Sequence, residues 1–368
     1  MNAQPVIPRR RTREMRLGGL PVGGGAPISV QTMTKTDTRD VAATVAQIRE
    51  IVAAGGQIVR LAVVDMAAAD ALADIRRQVA VPLVADIHFD HRLAVRAAGA
   101  GVDGLRINPG NIGSRDRVAE VVRAARERAL PIRIGVNSGS IEADLRERHG
   151  GATPAALVES ALRHVRILED LDYREIKISV KATDVARTVE AYRLLSAATD
   201  YPLHLGLTEA GTFLAGTVRS SVAMGILLAE GIGDTIRVSL TDSPVREVQV
   251  GLEMLRCLGL RAPGPNVVSC PTCGRCQVDL PAVCSRVEQA LEQYYRENPL
   301  AARPVVAVMG CMVNGPGEAK DADIAVTGGR SRFALYVRGE HRVTVDEREA
   351  VEALLAEVRR WTPPEGAR

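Results

Sequence analysis

The chain has 368 residues, with 47 Lys+Arg against 44 Asp+Glu and a formal net charge of +3. So even a balance argues against a general nucleic-acid surface, and no apolar run is long enough to span a bilayer. Hydrophobic residues make up 46% of the chain and aromatics only 3%, so the core must be built from Val, Ile, Leu and Ala, which suits a helix-covered parallel sheet.

The N-terminal stretch "MNAQPVIPRRRTREMRLGG" is basic but has no apolar segment behind it, so it is not a secretory signal. A cytoplasmic location is expected, where thiols stay reduced. Arg9, Arg10 and Arg11 read as a solvated arm. Beyond them, short β-rich runs alternate with helical patterns. Strands are expected at "ISVQTM" from Ile28, "IVRLAVV" from Ile58, "PLVADIH" from Pro82 and "GLRIN" from Gly104. Four more follow at "PIRIGVN" from Pro131, "EIKISV" from Glu175, "PLHLGL" from Pro202 and "TIRVSL" from Thr235. Amphipathic segments lie between them, with Asp40 and Thr153 as N-caps and the glycines of "AAGG" as a helix C-terminus. Eight strands, each followed by a helix, describe a (β/α)8 TIM barrel over residues 1–260, with a doubly wound open sheet as the alternative. The Gly-rich "MRLGGLPVGGGAP" is expected to form a hairpin across the barrel bottom.

Barrel interiors are normally layers of Val, Ile and Leu. Here several strands carry polar residues two apart near their C-terminal ends: Asp86 and His88, Arg106 and Asn108, Lys177 and Ser179 with Lys181 beyond, Arg237 and Ser239. Period two puts both members of a pair on one face. Arg60, Arg133, Asn137, His204, Thr208 and Glu209 occupy comparable places. Any one of these has an ordinary structural reading. As a set, Arg60, Arg106, Arg133, Lys177 and Arg237 would converge on one mouth and repel one another unless an anion is bound. Arginine forks match phosphate oxygens, so a small substrate with two phosphate-level charges is expected, with Asp86 and Glu209 contacting hydroxyls or moving protons. His91, His149, His164 and His341 fall on helices, loops or the far domain and read as surface or core histidines.

After Leu260 the texture changes. "RAPGPN" reads as a linker, and residues 261–368 read as a small α+β domain. It holds a helix around Ala282–Arg296, strands near Pro304–Met309, Asp323–Thr327 and Phe333–Val337, and a last helix over Asp346–Trp361. Its start carries "SCPTCGRCQVDL", with three of the chain's six cysteines. Half a zinc ribbon, a redox pair and an iron–sulfur site all fit C-x₂-C-x₂-C. A ribbon lacks its second pair here. A redox pair leaves unexplained "GCMVNGPGEA", which places a carboxylate seven residues after Cys311. Iron–sulfur ligation accounts for both segments, and spacing alone would choose Cys270, Cys273, Cys276 and Cys311. Cys257 and Cys284 read as small buried hydrophobes.

The segments "GAPISVQTMT", "VPLVADIHFD", "LRINPGNIG", "PIRIGVNSGS", "PLHLGLTEAG", "EGIGDTIRVSL", "SCPTC" and "GCMVNGPGEA" run almost end to end, and the chain that carries them resembles the 4-hydroxy-3-methylbut-2-enyl diphosphate synthases of the methylerythritol phosphate route to isoprenoids, in their compact two-domain bacterial form. The resemblance implies a [4Fe-4S] cluster on three cysteines and a glutamate, which fall on Cys270, Cys273, Cys311 and Glu318. That replaces the spacing-based choice of Cys276 and explains the glutamate of "NGPGE". It also implies Asn314 as a substrate contact and Glu209 and Glu318 as catalytic residues. The implied substrate is 2-C-methyl-D-erythritol 2,4-cyclodiphosphate, the electron donor flavodoxin or ferredoxin, and the assembly a homodimer.

Overall fold

The structure is a computed structural model that describes residues 7–261, 264–311, 322–330 and 332–363. The chain divides after Arg261 into two compact units.

The first unit opens with a hairpin of β1 (Met15–Leu17) and β2 (Leu20–Val22), paired antiparallel through Met15 and Val22. Eight parallel strands follow: β3 (Ser29–Met33), β4 (Ile58–Ala62), β5 (Leu83–Asp86), β6 (Gly104–Ile107), β7 (Ile132–Asn137), β8 (Ile176–Lys181), β9 (His204–Leu205) and β10 (Thr235–Ile236). Their order is β8-β7-β6-β5-β4-β3-β10-β9, and a parallel bridge from Ile178 to Leu203 joins the two ends. This is the expected barrel. The strands β9 and β10 are shorter than the apolar runs that announced them. Beyond them single backbone bonds continue the wall, from Arg237 N to Leu205 O at 3.0 Å and from Thr208 N to Ala182 O at 3.2 Å.

Ten helices interleave with the strands: α1 (Val41–Ala53), α2 (Met66–Gln78), α3 (His91–Gly99), α4 (Pro109–Ile112), α5 (Arg115–Glu127), α6 (Ala143–Arg148), α7 (Pro154–Glu169), α8 (Val185–Ala198), α9 (Phe213–Ala229) and α10 (Pro244–Cys257). Their starts follow from side-chain caps. Asp40 accepts from Ala43 N and Thr153 from Ala156 N, each satisfying a donor that the helix leaves unpaired. The core between barrel and helices is aliphatic, with Val59, Leu61, Ala85, Ile107, Ile134 and Ile178 on the strands and Ile48, Leu72 and Leu157 among the helical residues against them.

At the barrel bottom, Met15, Leu17 and Val22 of the hairpin pack with Ile58 and Val84. The arginines before the hairpin correct an expectation. Arg10 is no solvated arm: its guanidinium donates to the carbonyls of Ser196 at 2.8 Å and Tyr201 at 2.7 Å, and also to that of Thr199. Arg9 pairs with the buried Asp234 at 3.2 Å. Loop carbonyls at the barrel bottom have no ladder partner, and these two side chains satisfy them; Arg11 remains exposed.

The second unit is a five-stranded sheet in the order β11-β12-β13-β14-β15. Its strands are β11 (Asn266–Ser269), β12 (Val305–Met309), β13 (Ile324–Gly329), β14 (Arg332–Val337) and β15 (Glu340–Asp346), the first three parallel and the last pairings antiparallel. Two helices, α11 (Leu280–Glu297) and α12 (Ala350–Arg360), cover one face, where Val283, Val287 and Leu291 meet Val308, Val326, Phe333 and Leu354. β15 was not expected. Its sequence, EHRVTVD, is largely exposed and polar, and because the strand runs through Asp346 the last helix begins later than the expected Asp346. Among the described residues no helix is long and apolar enough to cross a membrane.

Candidate active site

The inner face of the barrel is built by period two. In β7 and β8 the register aligns Arg133 with Lys177, Gly135 with Ser179 and Asn137 with Lys181, so all three pairs stand on one face. Arg106 is the register partner of Arg133 one strand over, and Asp86 that of Arg106. At the C-terminal end these side chains enclose a cavity of about 250 Å³. Arg60, Arg106, Arg133, Arg237 and Lys181 supply its cations; Asp86, His88, Asn137, Thr208, Glu209 and Ser239 supply most of the remaining lining.

One carboxylate organises this cation set. Asp86 accepts from Arg106 Nη1 at 3.1 Å and stands 3.6 Å from both Arg60 Nε and His88 Nε2. Burial opposes its ionised form, but Arg60, His88, Arg106 and Arg133 outweigh burial and hold its pKa far below the usual carboxylate range. Arg106 is further fixed by Nη2 donating to Gly135 O at 2.9 Å. A second buried carboxylate, Glu247 at the start of α10, accepts from Thr32 Oγ1 at 2.6 Å and from Leu240 N at 2.9 Å, with Arg237 and Lys35 each at 3.5 Å.

Arg133 has no carboxylate of its own and donates to Ser179 Oγ at 2.6 Å. Burial, then Arg60 and Arg106, push it well below the ordinary arginine value; a guanidinium keeps its proton regardless, so the shift marks a charge lacking a counter-ion. The Nε atoms of Arg106, Arg133 and Arg237 are buried without a hydrogen-bond partner, a costly state unless an acceptor enters. A cavity with this lining is arranged for an anion.

Four of the expected contacts stand behind this lining. Asn108 Oδ1 accepts from Gly135 N at 2.9 Å. Ser179 supports Arg133. His204 is fully buried, with Nδ1 2.8 Å from Thr235 Oγ1 and Nε2 unpartnered. Lys177 lines a separate hollow of about 10 Å³ deeper in the barrel, with Leu17, Gln31 and Arg133. Lys181, one step further along β8, is the lysine that reaches the main cavity; the same alternation that marked Lys177 and Ser179 points to it. Glu247 and Thr32 left no comparable signal, because Glu247 sits in the first turn of an amphipathic helix where acidic residues are ordinary. Glu209 lies exposed at the rim with a left-handed backbone, φ 53°, a conformation concentrated at functional sites.

In the second unit the cysteines gather at the C-terminal ends of β11 and β12. Cys270 follows β11, its amide donating to Val308 O at 3.4 Å, while Gly310 N donates to Cys270 Sγ at 3.4 Å. The loop turns back where Cys276 N donates to Cys273 O at 2.9 Å and Gln277 N to Gly310 O at 3.3 Å. Cys311 directly follows Gly310. The thiol of Cys276 donates to Val278 O at 3.3 Å and lies where a Cβ on residue 310 would be 2.5 Å from its sulfur, so the glycine makes room for a packed thiol. Cys284 is half-buried, and burial pushes its thiol up. Among the described residues no cysteine is in a disulfide and no three His, Cys, Asp or Glu side chains are assembled around a metal position. The donor chemistry nonetheless fits an iron–sulfur group: soft thiols from two adjacent parallel strands, all reduced. Asn314 and Glu318 lie outside the described residues.

The GcpE TIM-barrel domain family matches residues 12–252, and the GcpE protein C-terminal domain family matches residues 266–360. A 4-hydroxy-3-methylbut-2-en-1-yl diphosphate synthase (flavodoxin) of Geobacter sulfurreducens is 57% identical over 350 residues, 95% of this chain and 98% of that one. The protein of the same description from Thermodesulfovibrio yellowstonii is 53% identical over 355 residues, 96% of this chain and 100% of that one.

Proposed function

The chain belongs to the GcpE family, and from that premise we propose how its two units divide the family's reaction. The protein is an iron–sulfur oxidoreductase that reductively opens the ring of 2-C-methyl-D-erythritol 2,4-cyclodiphosphate and removes a hydroxyl, giving (E)-4-hydroxy-3-methylbut-2-enyl diphosphate in the non-mevalonate route to isoprenoids. A ring C–O bond breaks, the hydroxyl leaves as water, and flavodoxin is the reductant; ferredoxin would serve the same role chemically.

In this reading the first unit, over residues 1–260, captures the substrate. Arg60, Arg106, Arg133, Arg237 and Lys181 hold its phosphoryl oxygens, with the unpartnered Nε atoms of three arginines offering donors already in place. Asp86 keeps Arg60 and Arg106 aimed at the cavity, and Asn137, Thr208, Ser239 and His88 contact the hydroxyls. Asn108, Ser179, Lys177 and His204 support that lining from behind. Glu209, exposed at the rim, holds the proton that the departing hydroxyl requires.

The second unit, over residues 261–368, would hold a [4Fe-4S] cluster through Cys270, Cys273, Cys311 and Glu318, which when bound supplies the electrons. Cys276 is a packed bystander in this assignment, its thiol already engaged with Val278 O. Glu318 would be the exchangeable ligand and, with Asn314, part of the substrate's surroundings. A cytoplasmic homodimer completes the proposal.

The observation that carries the substrate reading is a cavity with five cations and buried, unpartnered guanidinium nitrogens around a single committed carboxylate. Arg133→Ala tests it, because Arg133 leaves no carboxylate orphaned when it goes. Binding of the cyclic diphosphate should weaken by the loss of a charge-assisted contact, about 1.5–3 kcal/mol or roughly ten-fold and more, with iron content unchanged. Unaltered affinity would remove Arg133 from the site.

A further inference from the structure

Lys181 is the cavity's cation without a partner. Among the described residues it has neither a hydrogen bond nor an ion pair, although it is only 6% exposed. Its ammonium nitrogen fits against the barrel wall because residue 206 is glycine; a Cβ there would stand 2.7 Å from Nζ.

The charges facing it are of one sign. Arg133 stands on the neighbouring strand β7, Arg106 and Arg60 further round the wall, and Arg237 on β10. Along its own strand lies Lys177, also buried and unpartnered, and His204 on β9 turns an unpartnered Nε2 inward. The carboxylates are committed elsewhere. Asp86 is shared among Arg60, Arg106 and His88. Glu247 serves Thr32, Leu240 N, Lys35 and Arg237. Glu209 is exposed at the rim. A buried ammonium that faces arginines and no free carboxylate is more stable as the amine. Burial, followed by Arg133, Arg237, Arg60 and Arg106, accordingly drives Lys181 well below the ordinary lysine value, and Lys177 is pushed down to about 7.

An entering diphosphate reverses that balance, since it brings negative oxygens into the space the cations enclose. We propose that substrate capture is coupled to proton uptake: Lys181 is a neutral amine in the empty barrel and takes one proton from solvent as the cyclic diphosphate enters. The four arginines are permanently charged and cannot take it, and the two phosphoryl groups of a cyclic diester are fully ionised and do not bring it. The proposal rests on the reading of the cavity as the diphosphate site.

The sign follows from linkage. A group whose pKa is low in the free protein and higher in the complex binds protons on association at any pH between the two values. Affinity then falls as pH rises above the free-protein value, by up to roughly ten-fold per pH unit.

Calorimetric titration of the anaerobic holoenzyme with the cyclic diphosphate at about pH 8, in buffers of different ionisation enthalpy, reads the proton count directly. The expected result is uptake of about one proton per chain, with affinity falling toward alkaline pH. Lys181→Arg, which keeps a charge but cannot titrate, should bind with no uptake and a flat pH profile. Lys181→Met should bind roughly ten-fold or more weakly, also without uptake. Lys177→Met should retain the uptake. Binding without proton uptake in the unaltered protein overturns the coupling and leaves the site reading standing. Undiminished uptake in both Lys181 variants overturns the assignment to Lys181. Failure of the unaltered protein to bind the diphosphate overturns the site reading and the coupling together.

Discussion

Both units place their chemistry at the C-terminal ends of parallel strands, but they do it with different parts of the chain. In the barrel the cations and Asp86 belong to the strands or the residues just past them, and each is aimed by a neighbour one register position away. In the second unit the thiols lie past the strand ends, in a loop fixed by a few backbone bonds around Gly310. A strand dictates where its side chains point before any ligand arrives; a loop leaves that to its contents. The barrel site is therefore a preformed anion cradle, while the thiol site depends on the group it holds for its final arrangement.

The sharpest way to break this contrast is to remove a thiol. Cys311→Ser should lose both cluster and turnover, whereas Cys276→Ser should keep the cluster and most activity, as iron and sulfide analysis of the anaerobically reconstituted variants will show. Cluster loss in Cys276→Ser would restore the C-x₂-C-x₂-C set. In the barrel, Glu209→Gln should slow turnover by roughly 10²–10⁴ while leaving substrate affinity near its original value; steady-state kinetics with reduced flavodoxin separate the two quantities. Asp86→Asn should act on the scaffold and the site together. It leaves Arg60 and Arg106 buried without their shared carboxylate, a loss of about 3–5 kcal/mol of stability by chemical denaturation, with weaker binding besides. The smallest effect belongs to the scaffold alone. Asp40→Ala removes the cap on Ala43 N and should cost about 1 kcal/mol of stability, with kcat and cluster content unchanged.

The same contrast explains what was legible in the sequence. Apolar runs bounded by caps disclosed the eight strands, and polar residues two apart disclosed the mouth, because a strand's period is fixed by its backbone. Lys181 belonged to that alternation. What the sequence concealed was contact that has no period. Arg9 and Arg10 reach loop carbonyls far along the chain, and Glu247 serves the mouth from a helix. The exposed edge strand β15 lacks the apolar alternation of a buried one. The cysteines show the limit most clearly. Spacing selects Cys276, but its thiol is packed over Gly310 and donates to Val278 O, a fact of loop geometry that no spacing encodes.

The most direct test of the account is the metal content of the chain purified without oxygen, measured together with turnover of the cyclic diphosphate under reduced flavodoxin. The account predicts a brown protein with about four iron and four sulfide per chain, whose conversion of the diphosphate scales with its iron. A colourless protein with a single zinc, or iron-loaded protein that leaves the cyclic diphosphate unreduced, would contradict it.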